Sequence, residues 1–140
     1  MRVVDANILL YAVNTAAAHH ERSRSWLDEA LRRTETVGFA WTAILAFVRL
    51  ATSAAAFPTP LTVEEACGAA ERWLDQPPAV IVEPTPRHLG IVRGLLAETG
   101  TAGNLVNDAH LAALALEHGA EVASFDRDFQ RFAGVRLFVP

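Results

Sequence analysis

Three aspartates stand where the chain passes from one kind of local pattern to another: Asp5 in "VVDANILLYA", Asp108 in "NDAHLAALALEHG" and Asp126 in "SFDRDFQRF". Each has an ordinary explanation by itself. Asp5 can cap the helix that follows it, Asp108 can complement the positive end of its own helix, and Asp126 can nucleate the turn before Phe129. Together they are harder to explain, because three carboxylates gathered on one edge of a small sheet repel one another unless something positive lies between them. A hard divalent ion suits such a set, since Mg²⁺ prefers oxygen ligands, keeps several waters and needs only one or two carboxylates besides substrate phosphates. The chemistry implied is metal-assisted hydrolysis of a phosphodiester, with water as the nucleophile and no covalent intermediate on the protein.

Other chemistries can be weighed against the residues present. All 12 basic residues are arginines. Phosphoryl transfer in receiver domains and in haloacid-dehalogenase-like phosphatases relies on a lysine, which this chain lacks. The phosphate-loop pattern GxxxxGK[ST] is missing, and no glycine-rich turn follows the first strand, so neither nucleotide-binding fingerprint is met. His19 and His20 are adjacent, and His110 and His118 are eight apart, so exposed or structurally bonded histidines are expected rather than a zinc site. Cys67 is the only cysteine. It has no disulfide partner, which points to a reduced, cytoplasmic setting.

The 140 residues suit a single domain, 1–140, and 51% hydrophobic with 20% charged residues describes a well-cored globular chain. Apolar residues are spread over many short segments, so a soluble protein with no membrane association is expected. The apolar start "MRVVDANILLYAV" is interrupted by Asp5 and Asn7, which favours a buried first strand and helix over a signal peptide. A net charge of -4 argues against general coating of nucleic acid but not against a nuclease, whose acidic site is negative until it binds a cation.

Positioning the aspartates falls to alternating strands and helices. "RVV" reads as a short strand leading to "ANILLYAV", and "HERSRSWLDEALRRT" as an amphipathic helix with its arginines toward solvent. "TVGF" is a second strand, and "WTAILAFVRLATSAAA" a mostly buried helix. After "FPTPL", Thr62 is placed to cap "VEEACGAAERWL". "AVIVEP" is a third strand, Pro86 suits the first turn of "RHLGIVRGLLAETG", and Gly100 ends that helix. A further helix spans about Asn107 to His118, followed by strand "EVAS", a turn with a short helix, and strand "VRLFV". Such alternation implies an open, mostly parallel sheet covered on both faces, with ligands bound beyond the carboxyl ends of the strands.

Beyond these readings, the three quoted motifs, in this order and over residues 2 to 140, resemble those of PIN-domain ribonucleases, and with "EPTPRH" between them the chain looks like the VapC toxins of bacterial toxin-antitoxin pairs. The resemblance implies an α/β three-layer sandwich (α/β/α) with a mostly parallel central sheet and endoribonuclease activity dependent on Mg²⁺ or Mn²⁺. It also implies a homodimer, a VapB-like antitoxin that blocks the active edge, and a structured RNA substrate, often transfer RNA. By position, Asp5 matches the first acidic ligand, Asp108 the later metal-binding aspartate and Asp126 the aspartate after the fourth strand. Asn7 and Ser124 match polar positions that orient ligands or hold water or phosphate, Asp128 is a further carboxylate or a turn residue, and Arg49 and Arg127 are candidates for the RNA backbone. Arg49 can equally pair with a site carboxylate. One departure stands out: where many PIN domains carry a glutamate shortly before the arginine, this chain reads "AILAFVRL", with Ala46 at that place. One ion bridged by Asp5 and Asp108 is therefore expected, with a second recruited by RNA phosphate near Asp126. The competing class is a catalytically weakened binding module; a DNA-directed 5′ nuclease is a third option with little room for the extra helices it would need. Trp26, Phe39, Trp41, Phe47 and Phe57 exceed what one small core readily hides, so some are expected in an antitoxin groove or a dimer seam.

Overall fold

A computed structural model describes residues 1–140. The expected alternation is present: β1 Arg2–Val4, α1 Ala6–Val13, α2 His20–Ala30, β2 Val37–Phe39, α3 Trp41–Ala51, α4 Val63–Leu74, β3 Ala79–Ile81, α5 His88–Thr99, α6 Leu105–Glu117, β4 Glu121–Ala123 and β5 Leu137–Phe138. A single-turn 3₁₀ helix, Arg127–Arg131, lies between the last two strands.

Several boundaries differ from the sequence reading: α2 ends at Ala30 rather than Thr34, and β3 and β5 are shorter than the apolar runs that announced them. Helix α3 stops at Ala51 rather than running through Ala56, because the Thr52 hydroxyl donates to the Val48 carbonyl (2.8 Å) and the next residues turn toward Pro58. Pro86 falls outside α5, whose N-cap is Arg87. Helix α6 begins at Leu105, ahead of Asn107, so Asp108 belongs to its first turn. The end of α5 is as expected: Gly100 takes a left-handed conformation (φ 68°) that a side chain would strain.

All strand pairs are parallel, in the order β3-β2-β1-β4-β5. The chain first winds outward from β1 to β3, then returns through α5 and α6 to place β4 on the other side of β1. One buried cluster joins the sheet to α1–α4 through Val4, Ile8, Leu9, Leu27, Phe39 and Phe47. Another joins it to α5 and α6 through Val3, Leu95, Ala109, Leu114 and Val122. This is the three-layer α/β/α sandwich, and successive residues of β1, Val3 and Val4, feed opposite layers as the two-residue period of a strand requires.

The middle layer is thin at its centre. A Cβ on Gly38 of β2 would lie 3.0 Å from Val82 Cγ1 and 3.3 Å from Val3 Cγ2, so the absence of a side chain lets the strand pack there. Phe39, Phe47 and Phe57 are buried core residues, whereas Trp41 is 50% exposed, so much of the expected apolar excess is core after all. No helix is long and apolar enough to cross a membrane.

At the start of α4, Thr62 and Glu65 form a reciprocal capping box: the Glu65 amide donates to the Thr62 hydroxyl (3.1 Å) and the Thr62 amide to the Glu65 carboxylate (2.8 Å). Thr62→Ala removes one half of it and should lower unfolding stability by about 1 kcal/mol. Urea denaturation checks this; an unchanged midpoint would mean the cap contributes nothing.

Candidate active site

Strand order reverses between β1 and β4, and the crevice beyond their carboxyl ends is where open parallel sheets bind ligands. Asp5 follows β1 directly, and Ser124 follows β4. Because Val4 pairs with Ala123, the two residues emerge side by side, and the Asp5 amide donates to the Ala123 carbonyl (3.0 Å). Helix α6 runs back toward β4, so its first turn, carrying Asp108, rises at the same edge.

The ordinary explanation of Asp5 fails. It occupies the N-cap position of α1 but makes no side-chain capping hydrogen bond. Instead its Oδ2 accepts from the Ser124 hydroxyl (2.6 Å) and from Asn7 Nδ2 (2.7 Å). Asn7 Nδ2 also donates to Ser124 Oγ (2.8 Å), and the Asp126 amide donates to the same oxygen (2.9 Å). A hydroxyl offers one hydrogen and two lone pairs, so Ser124, which is fully buried, is saturated. Both Asn7 amide hydrogens are used as well. An aspartate at position 7 would set an acceptor against two acceptors, which explains the amide.

Asp126 does what a turn residue does: its carboxylate accepts from the Asp128 amide (2.8 Å) and caps the 3₁₀ helix. Phe125, between Ser124 and Asp126, stacks on the His19 ring (4.2 Å between centroids) and meets the Tyr11 ring edge-on (5.7 Å), while the Arg22 guanidinium lies 5.3 Å from its centroid. Aromatic packing thus fixes the turn on both sides of Phe125.

Across the crevice, an open cleft of about 380 Å³ is lined by Asp5, Asp108, Asn107, Thr42, Leu45, Ala46 and Arg49, among others. Its walls are the starts of α1 and α6 and one face of α3. Burial pushes the Asp108 carboxyl up to about 6, with the charges of Asp5, Asp126 and Asp128 adding to the effect in that order. Asp5 is also raised: burial outweighs the opposing Ser124 hydrogen bond, and Asp126 adds to it. None of the four aspartates has an ion-pair partner, and neither Arg49 nor Arg127 forms one. Of the two arrangements left open for Arg49, exposure at the cleft wall is the one observed. Arg127, Asp126 and Asp128 are exposed and lie outside the cleft lining.

No three His, Cys, Asp or Glu side chains converge closely enough to form a ready metal cage. The donor set nonetheless fits a hydrated hard cation, because Asp5 and Asp108 supply oxygen ligands to one cleft and burial, with neighbouring carboxylates adding to it, makes both hold protons more tightly than usual. Ala46 puts a methyl on the cleft wall where an acid would have completed a denser set. Sequence reasoning missed Asn107, Thr42 and Leu45 as lining residues; only the packing of α3 against α1 and the sheet reveals them. It also missed a clip between α5 and α6, in which His88 bonds Glu117 (2.6 Å) through Nδ1 and His110 (2.7 Å) through Nε2.

The family model described as PIN domain matches residues 2–135. Ribonuclease VapC37 of Mycobacterium tuberculosis is 57% identical over 140 residues, covering 100% of this chain and 97% of the relative. Ribonuclease VapC33 of the same species is 39% identical, covering 100% and 98%. Among solved structures, a chain of VapBC2 from Rickettsia felis bound to a DNA fragment from their promoter superposes with a TM-score of 0.72 at 17% identity, over 99% of this chain and 97% of that one, a likeness of fold.

The raised Asp108 carboxyl has a thermodynamic consequence. Its folded-state pKa of about 6 exceeds the ordinary 3.8, so the folded protein binds this proton more tightly, and the group's contribution to stability falls as pH rises from about 4 through 6. In the metal-free protein, Asp108→Asn should therefore be neutral near pH 4 and stabilising at pH 7. The full shift is discounted for the half-exposed position, leaving about 1–2 kcal/mol. Denaturant melts in chelator at the two pH values test this; a variant no more stable than wild type at pH 7 would contradict the crowding of charge described above.

Proposed function

The chain belongs to the PIN-domain family and, within it, to the VapC ribonucleases, and from that footing we propose that it is a metal-dependent endoribonuclease, the toxin of a toxin-antitoxin pair, with Asp5, Asp108 and Asp126 at its active site. The observation that carries the reading is that Asp5 and Asp108 line one cleft with no cationic partner, where burial, with the charges of Asp5, Asp126 and Asp128 adding to it, raises Asp108 to about 6. Asp126 has a local role as the cap of the 3₁₀ helix, but capping does not account for Asp5 and Asp108 lining one cleft without a cationic partner. A bound cation and phosphodiester chemistry give that arrangement a reason.

Asp5 and Asp108 would hold Mg²⁺ or Mn²⁺ in the cleft they line, and the ion, when bound, would supply Lewis acidity and lower the pKa of a water. The chain's own residues do the rest. Ser124 and Asn7 fix the Asp5 carboxylate in one orientation, as supporting residues around metal ligands do. Asp126, held through its amide to Ser124, would lie at the exposed margin of the site, where its carboxylate would accept a hydrogen bond from a water. Arg49, on the cleft wall, takes a backbone phosphate, and Arg127 and Asp128 meet the RNA or its counterions farther out. Cleavage is expected to leave a 3′-hydroxyl and a 5′-phosphate.

A cognate VapB-like antitoxin is the expected partner, the chain acts in the cytoplasm as a homodimer, and the substrate is a structured RNA such as transfer RNA. Support for self-association comes from the outward face of α5, where Leu89 is 70% exposed. One observation favours a second reading: Ala46 at the cleft wall and the lack of a preformed cage fit a weakened enzyme acting mainly through RNA or antitoxin binding.

Incubating the purified chain with a total small-RNA pool decides between them. Cleavage is expected in Mg²⁺ or Mn²⁺ and should vanish in chelator. Asp5→Asn and Asp108→Asn should each lose nearly all of it while remaining folded, and Ser124→Ala should lose about 10–100-fold. Full activity in both aspartate variants would end the nuclease assignment; RNA retention without cleavage would establish the binding module.

A further inference from the structure

We propose that His19, which stands outside the cleft, is a positioning residue for the reaction: its ring holds Phe125, whose backbone amide sets the orientation of Asn7 and, through it, of the Asp5 carboxylate. The inference rests on the ribonuclease reading above and names a residue that serves the site without touching it.

The link begins at Asn7. Its Nδ2 donates to Asp5 Oδ2 (2.7 Å) and to Ser124 Oγ (2.8 Å), while its Oδ1 accepts from the Phe125 amide (3.4 Å). An amide turned the other way would set its carbonyl against two acceptors, and the Phe125 N–H is the donor that keeps Oδ1 on the far side. At 3.4 Å this is the longest bond of the network, so a small shift of the Phe125 backbone breaks it first. Phe125 lies beyond the end of β4, and its ring supplies the anchor that the sheet no longer does.

That ring is held chiefly by His19. The two planes are 7° apart with centroids 4.2 Å apart, whereas Tyr11 meets Phe125 edge-on at 5.7 Å and the Arg22 guanidinium stands 5.3 Å away. His19 occupies the N-cap position of α2 but makes no capping hydrogen bond, so helix formation does not account for it. The adjacent His20 supplies the support. It is buried and donates from Nδ1 to the Tyr11 carbonyl (2.8 Å), tying the start of α2 to the end of α1. Pinning one histidine inward leaves its neighbour to cross the α1–α2 junction onto Phe125. Asn7 and Tyr11 are four residues apart on α1, so one helical face carries both the polar and the aromatic contact to Phe125. The paired histidines thus divide the work, one fixing the junction and the other using it to clamp the turn that supports Asp5.

The test compares wild type with His19→Ala, His19→Leu and His19→Phe. ¹H–¹⁵N spectra of the metal-free protein in chelator follow the Asn7 side-chain amide, Mn²⁺ titration gives the affinity for the ion, and urea melts give stability. His19→Ala should move the Asn7 amide signals toward those of a solvated asparagine and weaken Mn²⁺ binding about tenfold, the low end of what supporting residues around metal ligands contribute. His19→Leu keeps bulk without a flat face; it should behave the same, and it carries the test if the alanine variant does not fold. His19→Phe restores a flat ring and should stay within about twofold of wild type. In RNA cleavage at saturating Mg²⁺, the loss in His19→Ala should fall on kcat, about tenfold, with KM within about twofold, because His19 meets no substrate. Unchanged Asn7 signals and Mn²⁺ affinity in the alanine and leucine variants overturn the proposal, and a lowered urea midpoint alone makes the stack a packing contact. An equal loss in His19→Phe also overturns it, by assigning the effect to the imidazole rather than to stacking. So does a change confined to KM, which would place His19 against the RNA. A wild type that cleaves no RNA is a different result: it removes the ribonuclease reading, while the amide signals and the Mn²⁺ affinity still decide what His19 does.

Discussion

Everything at the active edge depends on the parallel register of β1 with β4. Val4 opposite Ala123 brings Asp5 and Ser124 out of the sheet as neighbours, and the network of Asp5, Asn7, Ser124 and the Asp126 amide closes only at that register. A slip of one residue would turn Val3 and Val4 toward the wrong layers and carry Asp5 away from its hydroxyl. Because Val3 and Val4 are both fully buried, one in each cluster, the hydrophobic effect enforces the alignment that the polar network uses. The site thus inherits its geometry from the core.

Charge is arranged differently at the two ends of the strands. At the amino end, Arg2 pairs with both Glu35 and Glu121, at 3.0 Å in each case. At the carboxyl end, Asp5, Asp108, Asp126 and Asp128 share a neighbourhood without an ion pair, and burial, with the charges of the other three adding to it, raises Asp108. The chain has arginines enough to compensate them, yet Arg49 stands on the cleft wall unpaired. Arg49 and the Asp5 and Asp108 carboxylates thus line one cleft without neutralising one another.

Much of this was legible in the sequence. The two-residue and 3.6-residue periods located all five strands and six helices, and the motifs around Asp5, Asp108 and Asp126 pointed to the same edge. What stayed hidden was whatever depends on distant side chains meeting. The Asp5 side chain was equally compatible with capping α1, and only Ser124, 119 residues away, decides against it. The link from His88 to Glu117 and His110 requires α5 and α6 to be packed in register, which no local pattern specifies. Likewise the solvent exposure of Trp41 follows from which face of α3 the core claims, and apolar content alone suggested a broader surface than exists.

The separation of Asp5 from Ser124 along the chain also bears on how such a protein is made. β1 occupies the middle of the sheet, but the strand that flanks it on the catalytic side is synthesised only after α1 to α6. Until that segment leaves the ribosome, the Asp5 carboxylate lacks its Ser124 anchor, so the polar network at this edge closes only once the chain is nearly whole.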